Sequence, residues 1–353
     1  MKRLIFVIAL CGHTASATPI INEFLAENDR LHLDVDNNSP DWIEIYNPGP
    51  GTLDLGGYYL SDDTNLTRWA FSPGTVVAAN GYLVVFASGK DRSDPAQELH
   101  TNFSLQNGGE SVYLTEPDGA TIISFFEDYP EQYRNISYGQ LPSGGTGYFE
   151  TPTPGAANGT GVIDFVNDTQ FSHKRGFYSA SFTLSITSST PSVSIRYTTD
   201  GSEPNATTGT LYTGPIAINQ TTIIRALAYR TGWKPTNVDA QSYIFTADVL
   251  SQAGMNTQIL NDPRYSGAME GALRALPVVS LQYLESDMFG INGIYDNPND
   301  TGDASERNVH IEYFDPDDPE ETFHIAGVCG FTGATEGVMP RNRFACIFGQ
   351  NTA

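Results

Sequence analysis

The chain has 353 residues and is strongly acidic, with 41 Asp and Glu against 18 Lys and Arg and a formal charge of −23. That balance argues against a nucleic-acid partner held by phosphate contacts and suits a protein kept soluble in a salty or extracellular medium. A 39% hydrophobic content is enough for packed cores, and 34 glycines with 21 prolines favour turn-rich β structure over long helices. At roughly 100–200 residues per domain, the length implies two or three of them.

The N-terminus reads as a secretory signal over residues 1–17. Lys2-Arg3 is basic, Leu4 to Cys11 is apolar, and Ala15-Ser16-Ala17 offers small residues for cleavage. An apolar core this short cannot span a bilayer, which takes about 20 residues. Removing Lys2 and Arg3 leaves 18 − 2 = 16 basic against 41 acidic residues, a mature charge of −25. No later apolar run is long enough to cross a membrane, so the mature chain is expected to be secreted or surface-associated. Without Cys11, Cys329 and Cys346 remain as a candidate disulfide.

Residues 18–150 alternate short β runs with turn clusters. In Asp41-Trp42-Ile43-Glu44-Ile45-Tyr46 the apolar Ile43 and Ile45 alternate with their neighbours, the pattern of a half-buried strand, and Asn47-Pro48-Gly49-Pro50 stops it. Tyr82 to Phe86 and Val112 to Thr115 are further strands, and their spacing predicts a sandwich. Asp34, Asp36, Asn38 and Asp41 invite a calcium reading, but Ser39 and Ile45 stand where a calcium loop wants Gly and Glu, so a solvated acidic turn is preferred. Trp42 and Tyr46 are read as packing aromatics before a ligand platform. Ile20-Ile21-Asn22-Glu23-Phe24, the Asp41–Gly49 run, Leu53 to Asp62, Asn102-Phe103-Ser104-Leu105 and Gly108 to Leu114 together resemble a lamin tail domain over about 18–125. That resemblance implies an immunoglobulin-like sandwich and names no activity.

Residues 151–163, with Thr151-Pro152-Thr153-Pro154-Gly155, read as a Pro/Gly linker. Residues 164–247 form a second all-β unit, in which Ser194 to Thr198 leads into the turn signal Asp200-Gly201. The Tyr197-Thr198-Thr199-Asp200-Gly201-Ser202 segment resembles the small C-terminal sandwich of chitobiases and related hexosaminidases, allied to fibronectin type III modules. Tyr197, Tyr212, Tyr229 and Trp233 are candidate sugar-stacking residues there, against the commoner outcome of core and edge packing.

Residues 248–275 switch to a helical period, with Met269, Ala272, Leu273 and Leu276 on one face. Asn261 to Tyr265, Leu276 to Leu281, Phe289 to Tyr295, Glu306-Arg307 and Glu312 to Asp317 resemble the entry to a CotH-type kinase-like domain, so 276–353 reads as part of one. Beyond residue 318 the family's basic and Gly-Gly positions are replaced by Gly327 to Ala334 and Arg341 to Cys346. Phosphoryl transfer needs a phosphate-holding cation, magnesium carboxylates and a nucleophile-orienting group. Only Arg341 and Arg343 offer the first, and Asp315, Asp317 and Asp318 read as a turn beside proline. ATP and magnesium are therefore expected only if a complete kinase domain follows.

The expected fold is mainly β: two tandem immunoglobulin-like sandwiches followed by a truncated α+β kinase-like segment. The expected function is an exported multi-modular protein whose sandwiches bind or space, with no catalytic residue, cofactor or metal assigned and with polysaccharide or protein as partner. The alternative is the N-terminal part of a secreted kinase-like protein.

Overall fold

The computed structural model describes residues 18–300, 305–318, 322–332 and 343–348, the last strand and residues 330–332 by backbone alone. The signal-like segment 1–17 lies outside the described residues. The chain is mainly β with short helices, and it divides into two compact units, 1–164 and 165–353.

In the first unit a six-stranded sheet carries, side by side, strands Thr146–Phe149, Ser137–Gln140, Ile20–Leu25, Asp41–Tyr46, Tyr82–Ala87 and Leu99–His100. A four-stranded sheet of Ile122–Phe126, Val112–Thr115, Tyr59–Ser61 and Trp69–Ala70 faces it. Ile21, Ile43, Ile45 and Val85 from the first sheet and Leu60, Val112 and Leu114 from the second are buried in the core. Aromatic edges add to it: the Phe24 ring lies 5.3 Å from Phe126 and 4.6 Å from Tyr129.

The strand Asp41–Tyr46 is not half-buried as its alternation predicts. Trp42 and Glu44, on the face expected to meet solvent, are fully buried along with Ile43 and Ile45. Two segments cover that outer face. His32, from the loop after the first strand, stacks on Phe86 at 5.4 Å and meets Trp42 edge-on. Residues 153–158 lie against Glu44 and its cross-strand neighbour Glu23.

That second cover is the stretch read as a linker, and it is bound to the first unit instead. The Thr153 amide donates to Glu23 Oε1 at 3.1 Å and its hydroxyl to Oε2 at 2.7 Å. The Gly155 amide donates to Glu44 Oε2 at 2.5 Å, while Asn22 Nδ2 donates to Oε1 at 2.8 Å. Asn158 Nδ2 donates to the Gln140 carbonyl at 2.8 Å. Further on, Val162 bridges back to Tyr148, and a Cβ at Gly147 would collide with the Val162 carbonyl oxygen, so this position needs glycine. Two buried carboxylates that would be costly alone are thus satisfied by charge-assisted hydrogen bonds of roughly 1.5–3 kcal/mol each.

The second unit begins with a five-stranded sheet of Gly176–Tyr178, Asp239–Phe245, Thr222–Tyr229, Ser194–Thr198 and Thr210–Leu211. Two small ladders, Gln170–Phe171 with Ile186–Thr187 and Phe182–Leu184 with Ile216–Ile218, cover it. Leu184, Ile186, Ile218, Ile224, Ala226 and Tyr243 form the shared core. After this come helices Thr246–Ser251 and Met269–Arg274; on the expected apolar stripe Met269 and Leu273 are half-buried, while Ala272 and Leu276 are exposed. The chain then builds an antiparallel sheet of Val278–Gln282, Arg307–Phe314, Thr322–Thr332 and Arg343–Phe348. The segment read as a truncated lobe is therefore a sheet of this same unit, with strand Arg307–Phe314 against strand Asp239–Phe245.

Burial pushes the Glu44 carboxyl up to about 7, against the pull of Asn22 and Gly155 and with the push of nearby Glu23. Burial likewise raises Asp41 to about 7, opposed by the Asn28 and Leu105 amides and helped by Glu110 and Glu27. A carboxyl whose folded pKa exceeds its unfolded value binds more protons when folded, so its contribution to stability falls as pH rises between the two values. The first unit should lose stability from about pH 4.5 to pH 7, by up to about 1.4 kcal/mol per pH unit for each carboxyl. Urea melts followed by Trp42 and Trp69 fluorescence measure this, and Glu44→Gln should remove its share of the slope. Stability that is flat or rising through that window in the wild type contradicts the assignment.

Candidate functional site

The acidic loop that suggests calcium is closed by the chain's own cations. Lys90 Nζ lies 2.5 Å from Asp34 Oδ2 and 2.7 Å from Asp36 Oδ2, and Arg92 reaches Asp36 at 2.8 Å. Asp34 Oδ1 also accepts the Asp36 and Asn38 amides, the geometry of a tight Asx turn. Burial pushes the Asp34 carboxyl up, but the Lys90 hydrogen bond and the two amides outweigh it and hold it below the usual range. Asp41 stands apart, its carboxyl taking the Asn28 and Leu105 amides. The positive charge that these carboxylates call for is supplied by Lys90 and Arg92.

Trp42 is buried under His32, and Tyr46 stacks on its cross-strand partner Tyr82 with centroids 4.7 Å apart. The two do not share a platform. In the second unit Tyr197, Tyr212 and Trp233 all pack partly buried against the core. Tyr197 and Tyr212 meet edge to face at 6.5 Å, the Tyr212 hydroxyl accepts the Ile186 amide at 3.2 Å, and the Arg230 guanidinium lies 4.4 Å over the Trp233 ring. Tyr229 pairs across the sheet with Ser194 and is half-buried. Structure thus brings Tyr197 and Tyr212 together as packing partners and leaves Tyr229 and Trp233 elsewhere on the module.

Cys329 is buried and disulfide-bonded, and the strand register sets Cys346 directly across from it, the side chain of Cys346 lying outside the described residues. Arg341 also lies outside the described residues, and Arg343 is placed only as the first backbone position of its strand. Asp315 Oδ1 accepts the Asp317 amide at 2.9 Å, which makes the acidic run a turn.

What sequence reading missed is a buried polar network in the second unit. Glu312, fully buried, receives the Arg175 guanidinium Nε at 3.3 Å and Gln282 Nε2 at 2.7 Å, and the Ser242 hydroxyl donates to it as well. Ser242 and Ser280 share a hydrogen bond at 2.8 Å. Arg175 also donates to the Ala240 and Phe323 carbonyls, stitching strand Asp239–Phe245 to the later sheet. Burial pushes the Glu312 carboxyl up and Arg175 opposes it. Beside it, His310 is driven down to about 3 by burial and then by the positive charge of Arg225, His324 and Arg175, so its ring is neutral. The available signal was an acidic residue flanked by the apolar Ile311, Tyr313 and Phe314 within the strand Arg307–Phe314.

On its other side Arg175 borders a cavity of about 540 Å³ lined by Lys174, Phe177, Arg274, Phe314, Phe323 and His324 among others. Arg274 is held by Glu270 at 3.0 Å, so much of the local positive charge is already engaged. The network joins strand Asp239–Phe245 to the later sheet. Breaking one half of a buried ion pair strands the other charge, so Arg175→Ala should destabilise the second unit by about 3–5 kcal/mol, whereas Arg175→Met with Glu312→Leu should recover most of the loss. Thermal unfolding of the variants checks this; a single-variant cost below about 1 kcal/mol, the scale of an exposed pair, would contradict it.

Comparison with known proteins bears on each unit separately. Residues 13–127 match the model of the lamin tail domain, an immunoglobulin-like family, and residues 184–243 match the Fn3 associated model. These matches carry neither the chitobiase-type nor the kinase-type assignment. No curated protein matches the chain. No solved structure matches it either. The chain is mainly β in two compact units, one containing a region similar to the immunoglobulin-like lamin tail domain and the other a region similar to the Fn3 associated family.

Proposed function

We propose that this is an exported protein of the cell surface or extracellular space whose β-sandwich modules bind and space rather than catalyse. One observation carries the reading: the buried carboxylates Glu23, Glu44, Asp34 and Glu312 are engaged by the protein's own chain. Glu23 and Glu44 hold residues 153–158, Lys90 neutralises Asp34 and Asp36, and Arg175 pairs with Glu312. Catalytic acids and bases need perturbed groups that face a substrate; the shifted carboxyls of Glu44, Asp34 and Glu312 face Asn22 and Gly155, Lys90, and Ser242 and Arg175. The disulfide at Cys329 supports an oxidising compartment, and the acidic composition supports a solvated extracellular life. We take Cys346 as the partner of Cys329, a link closing a loop worth about 3 kcal/mol.

Expression from the natural start codon, followed by intact-mass and non-reducing peptide mass spectrometry, tests the reading. The expected product lies outside the cytoplasm, starts at Thr18, and carries a Cys329–Cys346 cross-link. It should also be retained on a preparation of cell-surface polysaccharide or protein. A full-length cytoplasmic product with free thiols would contradict it.

A further inference from the structure

We propose that the turn Phe289–Tyr295 in the second unit is a docking surface for another protein, and that a basic amphipathic segment of that partner seats on it. The proposal goes beyond the reading above by naming a class of partner, and it does not depend on export.

The apolar side chains of this turn are held out of the fold. Ile291 is 91% exposed, Tyr295 67% and Phe289 59%, and the Phe289 and Tyr295 rings lie 5.4 Å apart. Ile294, 4% exposed, turns inward beside them. Exposed apolar residues standing singly are ordinary, whereas a group of them marks an interaction site.

The turn is built to keep them there. The Tyr295 amide donates to the Met288 carbonyl and the Ile294 amide to the Asp287 carbonyl, both at 2.9 Å. Asn297 Nδ2 holds the Ile291 and Gly293 carbonyls at 2.9 and 3.0 Å, and Arg307 Nη2 donates to the Asn292 carbonyl. A Cβ at Gly290 would collide with the Ser286 carbonyl oxygen and one at Gly293 with the Met288 carbonyl oxygen, so both positions need glycine. An anchor fixed in advance loses little freedom on binding, and a few such side chains carry most of an interface's energy.

Charge selects the occupant. From Ala275 to Glu306 the chain has six acidic residues and no Lys, Arg or His. Glu285, Asp296 and Asp300 are exposed and Asp287 is half-buried, and none of the four pairs with a cation among the described residues. Arg307, the next basic residue, turns its guanidinium to the Glu306 and Asn292 carbonyls. A second copy would set these carboxylates against each other across a two-fold contact, and an anionic surface is repelled in the same way. Lysine or arginine flanking an apolar face gives the complementary charge.

Two labelled amphipathic helical peptides of one pattern, Leu/Lys and Leu/Glu, serve as probes in fluorescence anisotropy with the full chain. The Leu/Lys peptide should bind, and the Leu/Glu peptide at least about tenfold more weakly, the worth of about 1.4 kcal/mol. Because the whole chain is acidic, the deciding variant is uncharged. Ile291→Ser should weaken Leu/Lys binding at least about tenfold without shifting thermal unfolding, and Ile291→Leu should keep it. Asp296→Lys with Asp300→Lys should weaken it more than Glu127→Lys with Glu131→Lys, exposed acids of the first unit. Leu/Lys binding that Ile291→Ser leaves intact overturns the proposal, as does equal binding of both peptides or of neither. Self-association in analytical ultracentrifugation that Ile291→Ser abolishes also overturns it, since a second copy then fills the place.

Discussion

The constraint on which the first unit depends is the burial of two carboxylates side by side. Glu23 and Glu44 pair across adjacent strands, and both are fully buried. Two like charges removed from water would repel and be costly, unless amides and hydroxyls are brought to them. The chain brings Thr153 and Gly155. This one requirement explains why residues 151–162 lie along the sandwich, why Gly147 must be glycine, and why the strand Asp41–Tyr46 is covered on both faces.

The second unit solves a similar problem with an ion pair. Its five-stranded sheet and the later antiparallel sheet meet through Arg175, Ser242, Gln282 and Glu312 rather than through apolar side chains alone. A polar joint of this kind is intolerant of half-removal and specifies one arrangement of the strands. In both units, carboxylates that resemble reacting chemistry in isolation, Glu23, Glu44 and Glu312, have structural partners.

Much of the fold was legible in the sequence. Alternating runs marked Asp41–Tyr46, Tyr82–Ala87 and Ser194–Thr198 as strands, and Asp200-Gly201 marked its turn. The helical period placed Met269–Arg274. What the sequence did not disclose was partnership over distance. Thr153 lies 130 positions from Glu23, and Gly155 lies 111 from Glu44, so proline and glycine there read as a linker. A Glu inside a buried strand announces that something must satisfy it, without saying what. The aromatic residues Tyr197, Tyr212 and Trp233 kept a sugar-stacking reading beside the commoner one of core packing, because residue type alone does not report burial; they pack against the core.

The most direct test of the carboxylate account is amide hydrogen exchange at Thr153 and Gly155. If Glu23 and Glu44 hold this segment, both amides exchange far more slowly than in a free chain, and Glu23→Ala or Glu44→Ala returns them to free-chain rates while the strands stay protected. Free-chain exchange at Thr153 and Gly155 in the wild type would contradict it, showing that the buried carboxylates are satisfied in some other way.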